Sequence, residues 1–167
     1  GADAVGGAIN LITDIDYDNK ITVGGSTRTK SINGNIYHRI NDWDIGVSGG
    51  IHESETESAL KGGTDKDGVE NKSIALTIKK WFTKNLQFRT NILARNTYAD
   101  LDGHSLSLQN GYDADNNLYA LQTGIDYNTR TSRNYITLHT HAYERDYVSP
   151  GELDTYESNS YVLRSEH

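Results

Sequence analysis

Two acidic segments hold the residues best suited to chemistry. Between 55 and 68 the chain carries Glu55, Glu57, Asp65 and Asp67, and between 98 and 115 it carries Asp100, Asp113 and Asp115 beside Tyr98. If the carboxylates of neighbouring loops converge, they supply the hard oxygens that calcium takes in sets of about six to eight, and the ion relieves their mutual repulsion. Without metal such loops are expected to be mobile. The competing reading is a pair of solvated loops, because Asp, Asn and Gly are common turn formers. An EF-hand does not fit, since Asp65-x-Asp67-Gly68 brings its glycine too early and no helices are expected to flank it. His139 and His141 are two residues apart, on one face of a strand, but no third ligand lies near them in sequence. Ser, His and Asp are all present without a nucleophile elbow or a paired-acid arrangement, so the chain is not expected to be an enzyme.

The elements that would position these groups are strands. The 167 residues include 16 glycines, 11 tyrosines and a single proline, with neither cysteine nor methionine, so disulfide and thiolate chemistry are absent. A formal charge of -7 disfavours a nucleic-acid backbone as partner. Mean hydropathy is -0.69 and no run of about 18 apolar residues exists to cross a bilayer as a helix. A β-barrel escapes that test, because only every second residue of its strands faces lipid.

From Lys20 onward apolar and polar residues alternate between clusters of Gly, Asn and Asp, the period-two pattern of strands with unlike faces. Strands are expected near 20–27, 30–40, 43–54, 69–81, 86–97, 116–128, 133–146 and 155–165. Many reach the roughly 9–11 residues that a tilted membrane strand requires. Asn41-Asp42, 83–85 and 129–132 read as tight turns, whereas 55–68, 98–115 and 147–154 read as longer loops, so short and long connections alternate after the first hairpin. Outer-membrane barrels sort their connections in this way. In one strand Ile74, Leu76 and Ile78 oppose Ser73, Thr77 and Lys79; in the next, Leu86, Phe88 and Ile92 oppose Gln87, Arg89 and Asn91. A lipid-facing Arg89 would be costly, which assigns it to the lumen. Trp43, Trp81, Phe82, Tyr127 and Tyr135 lie close to the tight turns, where aromatic rings could mark a membrane interface.

Residues 1–13, Gly-Ala-Asp-Ala-Val-Gly-Gly-Ala-Ile-Asn-Leu-Ile-Thr, differ from the rest, and 14–19 read as a polar linker. The opening segment resembles the end of the plug domain in TonB-dependent outer-membrane receptors, where G-[SA]-D-A-[IV]-G-G-[VA]-[IV]-N-[IL]-I-T leads into the first barrel strand. Gly6-Gly7 permits backbone conformations and a close approach that a Cβ would forbid. A Rossmann glycine fingerprint is disfavoured, because the G-x-G-x-x-G spacing is missing and no strand precedes it. The resemblance implies an all-β fold: residues 1–14 end a plug, and 15–167 form about eight strands of an antiparallel transmembrane barrel of about 22 strands.

Within that superfamily the chain is similar to the cobalamin (vitamin B12) receptors in strand order and in two external loops. In those receptors, carboxylates of these loops bind calcium and order the loops for cobalamin. Thr64-Asp65-Lys66-Asp67-Gly68 corresponds to their T-D-x-D-G, implying Asp65 and Asp67 as ligands. Tyr98 and Asp100 resemble their tyrosine-aspartate pair, with Ala99 intervening; Asp113 and Asp115 flank the place of a further aspartate. Glu57 falls where an aspartate is expected, with Glu55 the alternative. The resemblance implies active transport across the outer membrane of a Gram-negative bacterium. TonB would act through plug residues outside this chain, and membrane lipid would surround the barrel. A receptor for a ferric siderophore or haem is the alternative with the same fold, and a soluble β-sandwich binding module the alternative of a different class.

Overall fold

The computed structural model describes residues 18–57, 66–101 and 112–166. They form one sheet of eight strands: β1 (Lys20–Gly25), β2 (Thr29–Ile40), β3 (Trp43–Glu57), β4 (Lys66–Trp81), β5 (Leu86–Leu101), β6 (Tyr112–Asn128), β7 (Arg133–Ser149) and β8 (Glu152–Glu166). Each strand lies antiparallel to the next in chain order, and β1 and β8 are the two edges of the described sheet. The glycine-rich opening segment and Asp65 lie outside the described residues.

All eight expected strands are present, and β3 to β7 run farther toward the loops than the apolar alternation does. Backbone ladders are indifferent to side-chain polarity, so Glu55 still pairs with Gly68, Tyr98 with Asp115, and Asp115 with Asp146. β3 to β8 therefore span 15 to 17 residues each.

The turns are built from side chains that accept backbone N–H groups. The Thr83 hydroxyl accepts from the amides of Asn85 and Leu86, and the Thr129 hydroxyl from those of Thr131 and Ser132. Ser26 does the same for Arg28 and Thr29 between β1 and β2. Asn41 takes a φ of 52° in the two-residue β2–β3 hairpin. The β7–β8 connection corrects the expected long loop at 147–154. Ser149 pairs with Glu152, leaving only Pro150-Gly151 to turn, with Gly151 at φ 91°. Proline followed by glycine suits a type II turn, which needs positive φ at its third residue. Long connections thus do not alternate strictly with short ones.

Register sorts the side chains into two faces. Ile36, Val47, Leu76, Ile92, Leu121, Thr140 and Tyr161 stand in one row across β2 to β8. The neighbouring row on the opposite face is Tyr37, Gly46, Thr77, Asn91, Gln122, His139 and Val162. Among the described residues, 20 of the 25 most exposed large hydrophobic side chains lie on the first face. The buried side chains Asp44, Thr77, Lys79, Asp126, Thr137 and Ala114 all lie on the second. Crowding on one face with exposure on the other fits a sheet that bends toward its polar side, and that side is called the concave face.

Arg89 sits on the polar face, level with Lys79. The aromatics near the tight turns divide. Trp43 and Tyr127 take the apolar face and Phe82 the turn, whereas Trp81 and Tyr135 stand on the polar face. Lys80 belongs to the apolar side and stands 5.1 Å over the Trp43 ring, its ammonium 3.5 Å from Asp42.

Candidate functional site

At the loop end the apolar face becomes acidic. Tyr98 and Asp100 on β5 stand on that face two residues apart, as do Asp113 and Asp115 on β6; Asp100 is directly opposite Asp113, and Tyr98 opposite Asp115. The Ala99 that separates tyrosine from aspartate has a structural consequence. It turns to the polar face, and its presence lets Tyr98 and Asp100 share the other, which adjacent residues of a strand could not do.

The Tyr98 hydroxyl donates to Asp113 Oδ1 at 2.6 Å. Asn96 Nδ2 donates to Asp115 Oδ1 at 2.5 Å and to Asn117 Oδ1 at 2.9 Å. Tyr98 lies beyond the apolar band, four residues past Ala94. There the hydrogen bond to Asp113, burial, and the negative fields of Asp113, Asp100 and Asp115 push its phenol up to about 12. The phenol therefore stays protonated at neutral pH and serves as donor, holding one carboxylate in place.

The other candidate ligands are placed differently. Asp67 pairs with Thr56 and stands on the polar face, opposite in sense to the β5–β6 acids. Glu57 is the last residue of β3, opposite Lys66, and Glu55 is opposite Gly68. The sheet thus gathers Tyr98, Asp100, Asp113 and Asp115, and does not bring Asp67 to them. Among the described residues no three His, Asp or Glu side chains stand close enough together to hold a metal ion.

Sequence spacing missed how far the acids extend. Asp115 faces Asp146 on β7, Glu144 faces Glu157 on β8, and Glu53 faces Glu70 across β3 and β4, all on the same face. Like charges directly opposite each other destabilise an antiparallel pair. Local relief comes from Thr155, which donates to Asp146 at 2.7 Å, from Lys30, 4.0 Å from Glu53, and from Lys72 paired with Glu70. The i, i+2 spacing of Asp113 with Asp115 and of Glu144 with Asp146 was the available signal; which strands oppose each other was not.

Toward the tight turns the polar face carries a compact ionic cluster. Arg39 grips buried Asp44 through Nε at 2.5 Å and Nη2 at 2.8 Å, and the Tyr37 hydroxyl donates to the same carboxylate at 2.8 Å. His139 and His141 also face this side, His139 Nε2 lying 3.1 Å from Thr137 Oγ1.

Comparison with protein-family models, with curated proteins and with solved structures finds no match.

The oxygen-rich β5–β6 group suits a hard cation better than a transition metal, since it offers carboxylates and a phenol and no soft donor.

Proposed function

We propose that this chain is part of a TonB-dependent outer-membrane receptor that imports cobalamin, with calcium ordering its external loops. The observation that carries the reading is the inverted sheet: large apolar side chains exposed on the convex face, polar and charged ones crowded on the concave face. In water such a surface invites aggregation; against hydrocarbon it is the stable arrangement. Trp43 to Ile51 makes an apolar stretch of about 26 Å along β3 at roughly 3.3 Å per residue, close to the height of a barrel's apolar band. Residues beyond that stretch are acidic and would stand above the membrane.

The narrower part of the proposal rests on the resemblance of residues 1–13 and of the two acidic segments. TonB would act through plug residues outside this chain, and later strands would close the barrel onto the edges of β1 and β8. Tyr98, Asp100, Asp113 and Asp115 would have to draw together around a calcium ion, with Asp65 and Glu57 contributing from the neighbouring connection; Asp67, which stands on the polar face, would not join them. When bound, the ion supplies charge that offsets the opposed carboxylates. The chain's own part is to hold the oxygens on one face and, through Tyr98 and Asn96, to orient two of them. A sandwich module would instead need a second layer over the apolar face. That face would then have to be the concave, crowded one.

Cobalamin binding by the complete receptor, with and without calcium, tests this. Calcium is expected to tighten binding, and Asp65→Ala, or Asp113→Ala with Asp115→Ala, to abolish that gain. Calcium-independent binding of a ferric siderophore or haem in place of cobalamin would select the other receptor class.

A further inference from the structure

Near the tight turns the polar face carries more cation than anion. Arg39, Asp44, Lys79 and Arg89 form one row across β2 to β5, and Lys79 stands directly opposite Arg89, an arrangement that destabilises an antiparallel pair. Asp44 is the acid of that row, and Arg39 and Tyr37 already hold it. The next acid along this face, Asp126, is on β6, four strands away from Arg39 on β2.

The chain arrives at the β2 end of this row. The β1–β2 ladder runs to Lys20 and Asn35, while β2 itself continues to Ile40. There side chains take over from the ladder: Asn19 Oδ1 accepts from the Tyr37 amide at 2.5 Å, and Asn35 Nδ2 donates to the Asp18 carbonyl oxygen. Asn35 stands on the polar face, level with Ser48, so this second bond draws the entering backbone to that side. Counted back from Lys20 opposite Asn35, Asp18 falls level with Tyr37 and Asp16 level with Arg39. The stretch Asp14-Ile15-Asp16-Tyr17 brings two carboxylates and no cation.

We propose that residues 14–17 dock on the turn-ward end of β2, with the Asp16 carboxylate on the Arg39 guanidinium. Arg39 then bridges two acids. Its Nε and Nη2 bind Asp44 on β3, and the N–H groups on the other edge of the fork bind Asp16, on the side away from β3. The Arg39 side chain is 58% exposed although the Asp44 it grips is 1% exposed, so the cation is reachable from the entering chain. The segment supplies the negative charge that three cations and one acid leave wanting. This docking depends on the sheet and its charges alone, and not on the solvent of the apolar face. Residues 1–13 are thereby handed to the polar side of the wall, where a plug would have to lie.

The test uses the complete protein, to which this chain contributes no cysteine. Asp16→Cys combined with Arg39→Cys is expected to form an intramolecular disulfide on oxidation, read by mass spectrometry of the non-reduced digest. Asp16→Cys combined with His38→Cys should not close, because His38 is the neighbour of Arg39 on the opposite face. Equal closure of both pairs, or a disulfide between two copies, overturns the proposal. Asp16→Asn removes the charge and keeps the shape. Amide exchange at Tyr37, whose N–H Asn19 holds, is expected to quicken about threefold in this variant, the worth of one partly exposed ion pair, and to stay unchanged in Asp14→Asn. Should Arg39→Cys prevent folding by stripping Asp44 of its partner, the comparison of Asp16→Asn with Asp14→Asn decides alone. No quickening in Asp16→Asn, or the same quickening in both, means that the acids are solvated or only diffusely attracted, and overturns the pairing.

Discussion

The two faces of the sheet obey opposite rules. On the concave face Asp44, Lys79 and Asp126 are buried, and Arg39 and Tyr37 hold Asp44 by hydrogen bonds. On the convex face Ile21, Ile36, Ile74 and Leu163 stay more than half exposed, with nothing among the described residues to cover them. A protein stabilised by water exclusion alone would reverse this distribution. On the proposed membrane reading the solvent of the convex face is part of what folds the sheet, while the concave face is held by polar contacts of the chain's own making.

The sharpest way to break the comparison is to put one charge on each face at the same depth. Val47 and Ser48 are consecutive on β3 and point opposite ways, both of them exposed. On the proposed membrane reading, Val47→Arg is expected to cost the complete protein about 2–4 kcal/mol of folding free energy in vesicles, the depth-dependent penalty for Arg facing lipid. Ser48→Arg should fall within about 0.5 kcal/mol of wild type. Equal costs in a denaturant titration would mean that the faces see the same solvent. Spin labels sharpen the same point: at Ile74, Leu76 and Phe88 they should report acyl chains, and at Ser73 and Asn91 water or protein.

Next in size is the concave face's own cohesion. Asp44→Ala strips Arg39 and Tyr37 of a shared acceptor, removing the bidentate grip and the phenol's bond at this point of the wall. A loss of about 1–3 kcal/mol is expected, toward the lower end because Arg39 is itself exposed to solvent. Denaturant midpoints in vesicles measure it, and a neutral result would show that polar contacts do not hold the concave face. Smaller again is Gly151→Ala. At φ 91° a Cβ is strained whatever the space around it, and about 1 kcal/mol should disappear from the β7–β8 hairpin, seen as faster amide exchange at Val148 and Leu153.

Much of this architecture was legible in the chain because period two survives in every long strand. Ile74-x-Leu76-x-Ile78 and Leu86-x-Phe88 fixed both the strand and its face before any partner was known. The β7–β8 turn was misjudged for a local reason: Tyr147 to Asp154 is polar enough to read as loop, yet its backbone pairs up to Pro150-Gly151. Nearness to a turn says nothing about parity along the strand, and Trp81 and Tyr135 land on the polar face while Trp43 and Tyr127 take the other. At the candidate site the limit was different. Asp113 and Asp115 announce a shared face by their spacing, but that Asp100, Tyr98 and Asp146 stand across from them depends on register between segments up to dozens of residues apart. Asp67 illustrates the converse: it belongs to a motif spaced like a ligand set, yet it lands on the other face.

The finest distinction concerns the place where the convex face stops being apolar. Tyr98→Phe removes the 2.6 Å bond to Asp113 and nothing else of the ring. In this exposed position about 0.5 kcal/mol is expected at neutral pH. Folding raises the Tyr98 phenol from 10.0 to about 12, so the protonated form is the one the folded state favours. Its contribution is therefore complete below the unfolded value and is lost as pH climbs from 10.0 toward about 12. The stability difference between wild type and Tyr98→Phe should shrink over that interval. A difference that stays constant through it would mean that the phenol does not hold Asp113, and the β5–β6 acids would then be separate solvated groups rather than one site.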